Sequence, residues 1–159
     1  MPCIAIMALF GAPIAHEDHA VRACYAALAI QQAMHAQAVQ ARSTYGVEVS
    51  ARVGLHSGEV LVRAIGNDLS MDYDAVGPTV HLASRMEQLA SPGTIRLTAA
   101  TANLAEGFVD FRSLGQVRVK GLSQPIEAFD LVAPIRAAAR QAGGPTCSKK
   151  SVYAESSAL

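Results

Sequence analysis

From Val47 to His56 apolar and polar residues alternate without a break: Val47, Val49, Ala51, Val53 and Leu55 against Glu48, Ser50, Arg52, Gly54 and His56. A period of two is the side-chain period of a strand, so this stretch predicts a β-strand with one face on a core. Its neighbours constrain the other wall of that core. Upstream, Val21, Cys24/Tyr25, Leu28 and Gln31/Gln32 keep the i, i+3/i+4, i+7 spacing of a helix. Glu17 and Asp18 fall in its first turn, where carboxylates suit the positive end of the helix dipole. The helix is predicted to run to about Ala41 and to stop before Gly46. Downstream, Gly77-Pro78-Thr79 opens a second helix through Leu89, with Val80, Ala83 and Met86 on one face, and Ser91-Pro92-Gly93 ends it.

The remaining segments are shorter. Ile4 to Phe10 is an apolar run compatible with a buried strand, ended by Gly11-Ala12-Pro13. After Leu55, Ser57-Gly58 interrupts the strand as a bend or bulge, with Gly54 and Gly58 permitting it, and Val60-Leu61-Val62 continues extended. His56 is expected to face solvent or a neighbouring strand. Gly66-Asn67-Asp68 supplies residues for a reversal, and Met71 to Val76 returns as the partner strand. Thr94 to Thr98 reads as a strand, Ala99 to Glu106 as a short helix and Phe108 to Phe111 as a strand. Val117 to Gly121 and Ile126 to Val132 form a last hairpin around Ser123-Gln124-Pro125. Interleaved helices and strands argue for an α+β or α/β layer with helices on a sheet. Residues 1–133 form the domain, and 134–159, Ala/Arg-rich and then small and polar, read as a tail that buries too little to order itself.

Composition excludes several classes. Lys+Arg and Asp+Glu are both 13, so the formal net charge is zero, and nothing supports a nucleic-acid or membrane-surface partner. There is no Trp and aromatics are 5%, which argues against a base-stacking platform. The longest uncharged run, Met1 to Ala15, is shorter than the ~20 residues a membrane span requires and contains Pro13. Nothing basic precedes its apolar stretch, so it does not read as a signal peptide. Cys3, Cys24 and Cys147 are odd in number and form no C-x-x-C, which fits reduced thiols in a cytoplasmic protein. His16-Glu-Asp-His19 has the look of a metal cluster, but such neighbours at a helix start are ordinarily solvated. Gly54-Leu-His-Ser-Gly58 is not a nucleophile elbow, because Ser57 falls one position late.

Several ordered blocks carry a resemblance. Arg52-Val-Gly-Leu-His-Ser-Gly-Glu-Val60, Asp72-Tyr-Asp-Ala-Val-Gly77 and Thr79-Val-His-Leu-Ala-Ser-Arg-Met-Glu87 closely resemble the class III adenylate/guanylate cyclase catalytic domain. Met7-Ala-Leu-Phe-Gly-Ala-Pro13 looks like the segment after that family's second metal aspartate, and Ser91-Pro-Gly-Thr-Ile95 and Val119-Lys-Gly121 match later signatures in the same order. The resemblance covers roughly Ile6 to Val132.

It implies a ferredoxin-like α+β sheet with helices packed on it. It also implies conversion of a nucleoside triphosphate to the cyclic monophosphate and pyrophosphate in intracellular signalling, by attack of the 3′-hydroxyl on the α-phosphate. Two divalent metals, Mg or Mn, and an arginine stabilise the charge that develops. Two domains meet head to tail as a homodimer or heterodimer, one giving the metal carboxylates and the other the transition-state residues. On that pattern Arg85 is the transition-state arginine, and His81 stands where an asparagine usually orients the ribose. Asp74 reads the purine edge, which favours ATP over GTP, and Lys120 holds the β- and γ-phosphates. His81 and Arg85 are i, i+4, so both can point into one cleft.

The metal half departs from the pattern. Where the second aspartate's Gly-Asp-Gly turn is expected the chain reads Cys3-Ile4-Ala5, and isoleucine offers a hard cation no oxygen. The family's first strand with its aspartate and the helices that follow it, and the adenine-reading lysine, find no counterpart in these 159 residues. The expectation is a cyclase domain without metal ligands of its own, inactive alone. It would be a partner that complements a complete domain, or an inactive fragment. A missing central strand would leave an unpaired sheet edge.

Overall fold

The computed structural model describes residues 5–12, 14–67 and 70–135, with the backbone alone over 62–67 and 70–76. Helix α1 spans His19–Tyr45, strand β1 Val53–Leu55, β2 Leu61–Asn67 and β3 Ser70–Val76. Helix α2 (Pro78–Leu89), β4 (Ile95–Thr98), α3 (Ala99–Leu104), β5 (Val109–Val117) and β6 (Ile126–Pro134) follow. This is the expected α+β arrangement. Four strands form one mixed sheet in the order β1-β4-β6-β5, and β2-β3 form a separate antiparallel hairpin from Leu61↔Val76 to Asn67↔Ser70.

The first helix starts after Asp18, whose carboxylate pairs with Arg22 at 2.8 Å, and that hydrogen bond holds its pKa below the ordinary range. It ends at Tyr45, before Gly46 as expected and four residues past Ala41, where Gly46 adopts a left-handed conformation and returns its N–H to the Arg42 carbonyl. Only its N-terminal half is anchored. Val21, Cys24 and Ala27 pack with Ile95, Leu97, Leu131 and Val109 on one face of the sheet, closed by Ala102 and Ala105 at α3. Strand alternation sends Arg96, Ala128 and Asp130 to the opposite face, where Met86 of α2 buries against Val119 and Ala128.

Three expectations need correction. The alternating segment is a strand only at Val53–Leu55, where it runs parallel to β4 through Val53↔Ile95 and Leu55↔Leu97. Before it, Ala51 accepts the Gly93 N–H at 2.9 Å, but Val47 and Val49 are exposed and, among the described residues, have no partner strand. The described part of the Ile4–Phe10 run, residues 5–10, is not a strand either. Ile6 is 89% exposed, and none of the described strands lies beside it to complete a ladder. Finally, Phe108–Phe111 and Val117–Gly121 are not two strands. One strand, β5, runs through Val109–Val117 with bulges at Asp110/Phe111 and Ser113/Gly115, and residues 118–121 belong to the connection to β6. The reversal residue Asp68 and the tail beyond 135 lie outside the described residues.

Candidate functional site

The second helix carries two of the four predicted site residues, His81 and Arg85, and its seat is built from four directions. It opens on Gly77, whose φ of 137° is open to glycine and strained for other residues, followed by Pro78 at the position where a missing N–H is no loss. In the first turn, the Thr79 hydroxyl donates to the Glu59 carbonyl, tying the helix start to the loop after β1. In the middle, Gly54 of β1 lies directly beneath the α2 backbone, and a Cβ there would collide with the Ala83 carbonyl and the Glu87 N–H. Arg52 pairs with Glu87 at 3.1 Å beside that contact. At the far end the Arg96 guanidinium donates to the Leu89 carbonyl.

On this helix His81 is exposed and Arg85 half-buried, one turn apart, and Arg85 Nη1 donates to Gln88 Oε1 at 2.7 Å. Lys120 is exposed in the 118–125 connection, which folds around a hollow also lined by Arg118, Ser123 and Gln124. Lys120 follows Val119 in sequence and Arg85 precedes Met86, and Val119 and Met86 belong to one buried cluster. The core contact thus brings two cation-bearing backbone positions, 35 residues apart, to one region of the molecule. Asp74 sits on β3 opposite Arg63, three residues before Gly77. The hairpin therefore runs directly into the helix that bears His81 and Arg85.

The loop after β1 is held by hydroxyls. His56 Nδ1 lies 2.8 Å from Thr98 Oγ1, so His56 does face a neighbouring strand, and burial lowers its pKa below the usual 6.5. Thr101 donates to the Ser57 hydroxyl at 3.1 Å. A Cβ on Gly58 would stand 2.8 Å from Thr79 Oγ1 and 3.2 Å from His56 Nε2. The glycines at 54 and 58 thus serve close approach of α2 to β1 and its loop. The chain does bend at Gly58, as expected, whereas Gly54 lies inside β1 and is not a bend residue.

Among the described residues no three His, Cys, Asp or Glu side chains gather in a group that could hold a metal ion. Segment 5–12 consists of Ala, Ile, Met, Leu, Phe and Gly, none of which carries a side-chain oxygen for Mg or Mn. The residues described on this chain do not fit a two-metal centre. His19 Nδ1 is 2.9 Å from the His16 carbonyl and Asp18 is engaged by Arg22, so the His16–His19 cluster is a set of local helix-start contacts.

These features match known proteins. The family model of the adenylate and guanylate cyclase catalytic domain matches residues 5–133, and the chain belongs to that family. Adenylate cyclase 1 of Rhizobium meliloti (strain 1021) is 32% identical over 134 residues, 83% of this chain and 20% of that protein. Among solved structures, the adenylyl cyclase CyaB from P. aeruginosa has a TM-score of 0.71 at 31% identity, covering 80% of this chain and 66% of that one. The guanylate cyclase domain of RhGC from Catenaria anguillulae, solved in complex with GTP, has a TM-score of 0.65 at 31% identity, covering 79% and 66%. The chain thus spans about a fifth of the length of the curated relative.

Sequence reasoning missed the residues that seat α2. Gly54 inside an alternating strand was open to a close-approach reading, since an isolated strand glycine often marks one. Arg96 and Asp130 gave no comparable signal, because their partners lie far away in the chain.

Proposed function

We propose that this chain is a cyclase catalytic domain that supplies the arginine side of a shared site, acting on ATP in preference to GTP, with the metal carboxylates coming from a partner domain. The observation that carries this reading is the seat of α2. A helix held at both ends and at its middle presents Arg85 and His81 outward, with Lys120 rising from the loop packed against the same helix. The Arg85 guanidinium would lie against the α-phosphate, where negative charge grows as the ring closes. Lys120 would hold the β- and γ-phosphates, and His81 would donate one hydrogen bond to the ribose. Asp74 would accept the adenine amino hydrogens, which is the basis for placing ATP before GTP. Residues 1–133 would constitute the domain.

The test is cyclic-nucleotide production from ATP and GTP with Mn²⁺. The chain is assayed alone and then mixed with a related intact cyclase domain whose own transition-state arginine has been removed. Silence alone with rescue in the mixture, abolished by Arg85→Ala, is the expected result. Turnover by the chain alone would overturn the shared-site reading and point to other carboxylates, such as Glu59 or Asp72, as metal ligands. Silence in both would remove the catalytic reading altogether.

A further inference from the structure

We infer that Arg96, braced by Asp130 and Arg112, is a positioning residue for Arg85; the inference rests on the reading of Arg85 given above. The three side chains form a charged rung across three strands. Register places Asp130 of β6 opposite Arg96 of β4 on one side and opposite Arg112 of β5 on the other. One Asp130 oxygen accepts from Arg96 Nε at 3.1 Å and the other from Arg112 Nη2 at 2.9 Å. The carboxylate is 8% exposed and the Arg96 side chain 14%, whereas Arg112 reaches in from the surface at 69%.

A second Arg96 donor goes to α2. Its Nη1 donates to the carbonyl of Leu89, the last helical residue and four positions beyond Arg85. The last turn of α2 contains no basic residue of its own. The orphan carbonyls and the negative end of the helix dipole are therefore served by a cation borrowed from the sheet. Aspartate fixes both orientation and charge, because a guanidinium hydrogen-bonded through Nε has its Nη groups held in one plane. A rung that sets where α2 ends also sets how far Arg85 reaches, and a displacement of ~1 Å at a transition-state group can cost roughly 100-fold in rate.

The experiment compares Asp130→Asn, Arg96→Met and the double variant Asp130→Asn/Arg96→Met with the wild-type chain. Amide hydrogen exchange of α2 is measured on each chain alone, and kcat and KM are measured in the complementation mixture. Both single variants are expected to lose stability: Asp130→Asn leaves the buried Arg96 without its carboxylate, and Arg96→Met leaves the buried Asp130 with Arg112 alone. The double variant removes both charges and should regain much of that stability, yet it still lacks the donor to Leu89. Expected for the double variant is exchange of the Arg85–Ala90 amides accelerated about tenfold, the scale of one lost charge-assisted hydrogen bond. Its kcat should be depressed by about the same factor, with KM within about twofold. Recovery of exchange protection and kcat together with stability would overturn the inference, since the rung would then be structural only. Exchange is read without turnover. Silence of the wild-type mixture would therefore sink the shared-site reading, while wild-type protection of α2 in the double variant would still sink the rung.

Discussion

Met86 and Val119 are packed together in a buried cluster, and each is the chain neighbour of a cation predicted to meet the nucleotide, Arg85 in one case and Lys120 in the other. The apolar contact belongs to the core, but its effect is to set two charges on neighbouring surfaces. Helix α2 and the β5–β6 connection cannot separate without exposing that cluster, so the spacing of the two cations is coupled to the stability of the domain.

Arg85 and Lys120 should therefore separate in their kinetics. In the complementation mixture Arg85→Ala is expected to lower kcat by about 1000-fold, the scale of an arginine that acts on transition-state charge. Its urea midpoint should stay unchanged, since Arg85 bonds only its exposed neighbour Gln88 among the described residues. Lys120→Ala should raise KM for the triphosphate about tenfold with a smaller effect on kcat, as a lost ground-state phosphate contact does. Equal effects of both variants on kcat would refute the assignment of separate roles.

Gly54→Ala is expected to be the most damaging small substitution in the site. The added methyl meets backbone atoms of α2 at Ala83 and Glu87, which cannot rotate away as a side-chain tip would. Helix α2 must lift from β1, at a cost of about 1–3 kcal/mol by the usual scale of overpacking. Urea unfolding reads the loss, and exchange at α2 amides shows where it is spent. A variant with wild-type stability and protected α2 would mean the helix does not sit against β1 as described.

His56 predicts an acid sensitivity of known sign. Burial depresses its folded pKa below 6.5, so the neutral ring is the form the fold accepts. Its contribution is present above the unfolded value and is lost as pH falls through the folded one. Between pH 7.5 and 5 the wild type should lose more stability than His56→Gln, which can still reach the Thr98 hydroxyl without titrating. Parallel pH profiles for the two proteins would show that His56 is not the group responsible.

Cys24 predicts the opposite slope at alkaline pH. The thiol is buried, and desolvation pushes its pKa from 9.0 to about 11. At pH 8 it should resist a thiol-specific disulfide reagent in the native protein and react fully in urea, since the thiolate is the nucleophile. A raised folded pKa contributes stability that is complete below the unfolded value. Cys24→Ala should therefore lack the part of the wild-type stability loss that falls between about pH 9 and 11. Rapid native labelling would place the thiol at the surface.

The local elements and the order of the chemical groups were legible in the sequence, because both depend on neighbours a few residues away. Periodicity located α1 and α2, Gly77-Pro78 marked the start of α2, and Ser91-Pro92-Gly93 marked its end. The blocks around Arg52–Val60 and Thr79–Glu87 were enough to name the family. What the chain does as a strand was not decided there. Val47–Ala51 alternates like Val53–Leu55, yet only the latter is a strand, since a ladder needs a partner and β4 reaches only that far. The same holds for the apolar residues 5–10, which have the composition of a strand and, among the described residues, no strand to pair with.

The site followed the same division. Residues 74, 81, 85 and 120 could be singled out as the proposed nucleotide-facing set because motif spacing is local. The parts that hold them were not: Gly54 beneath α2, Thr79 on Glu59, and the rung from Arg112 through Asp130 and Arg96 to Leu89. Hydrogen bonds and close approaches of this kind join residues 7 to 34 positions apart. Nothing in the sequence around either end specifies the partner. Sequence determined which charges the family resemblance singles out, and the tertiary structure alone determined what fixes their positions, because position is set by contacts that exist only once β1, β4, β5 and β6 are side by side.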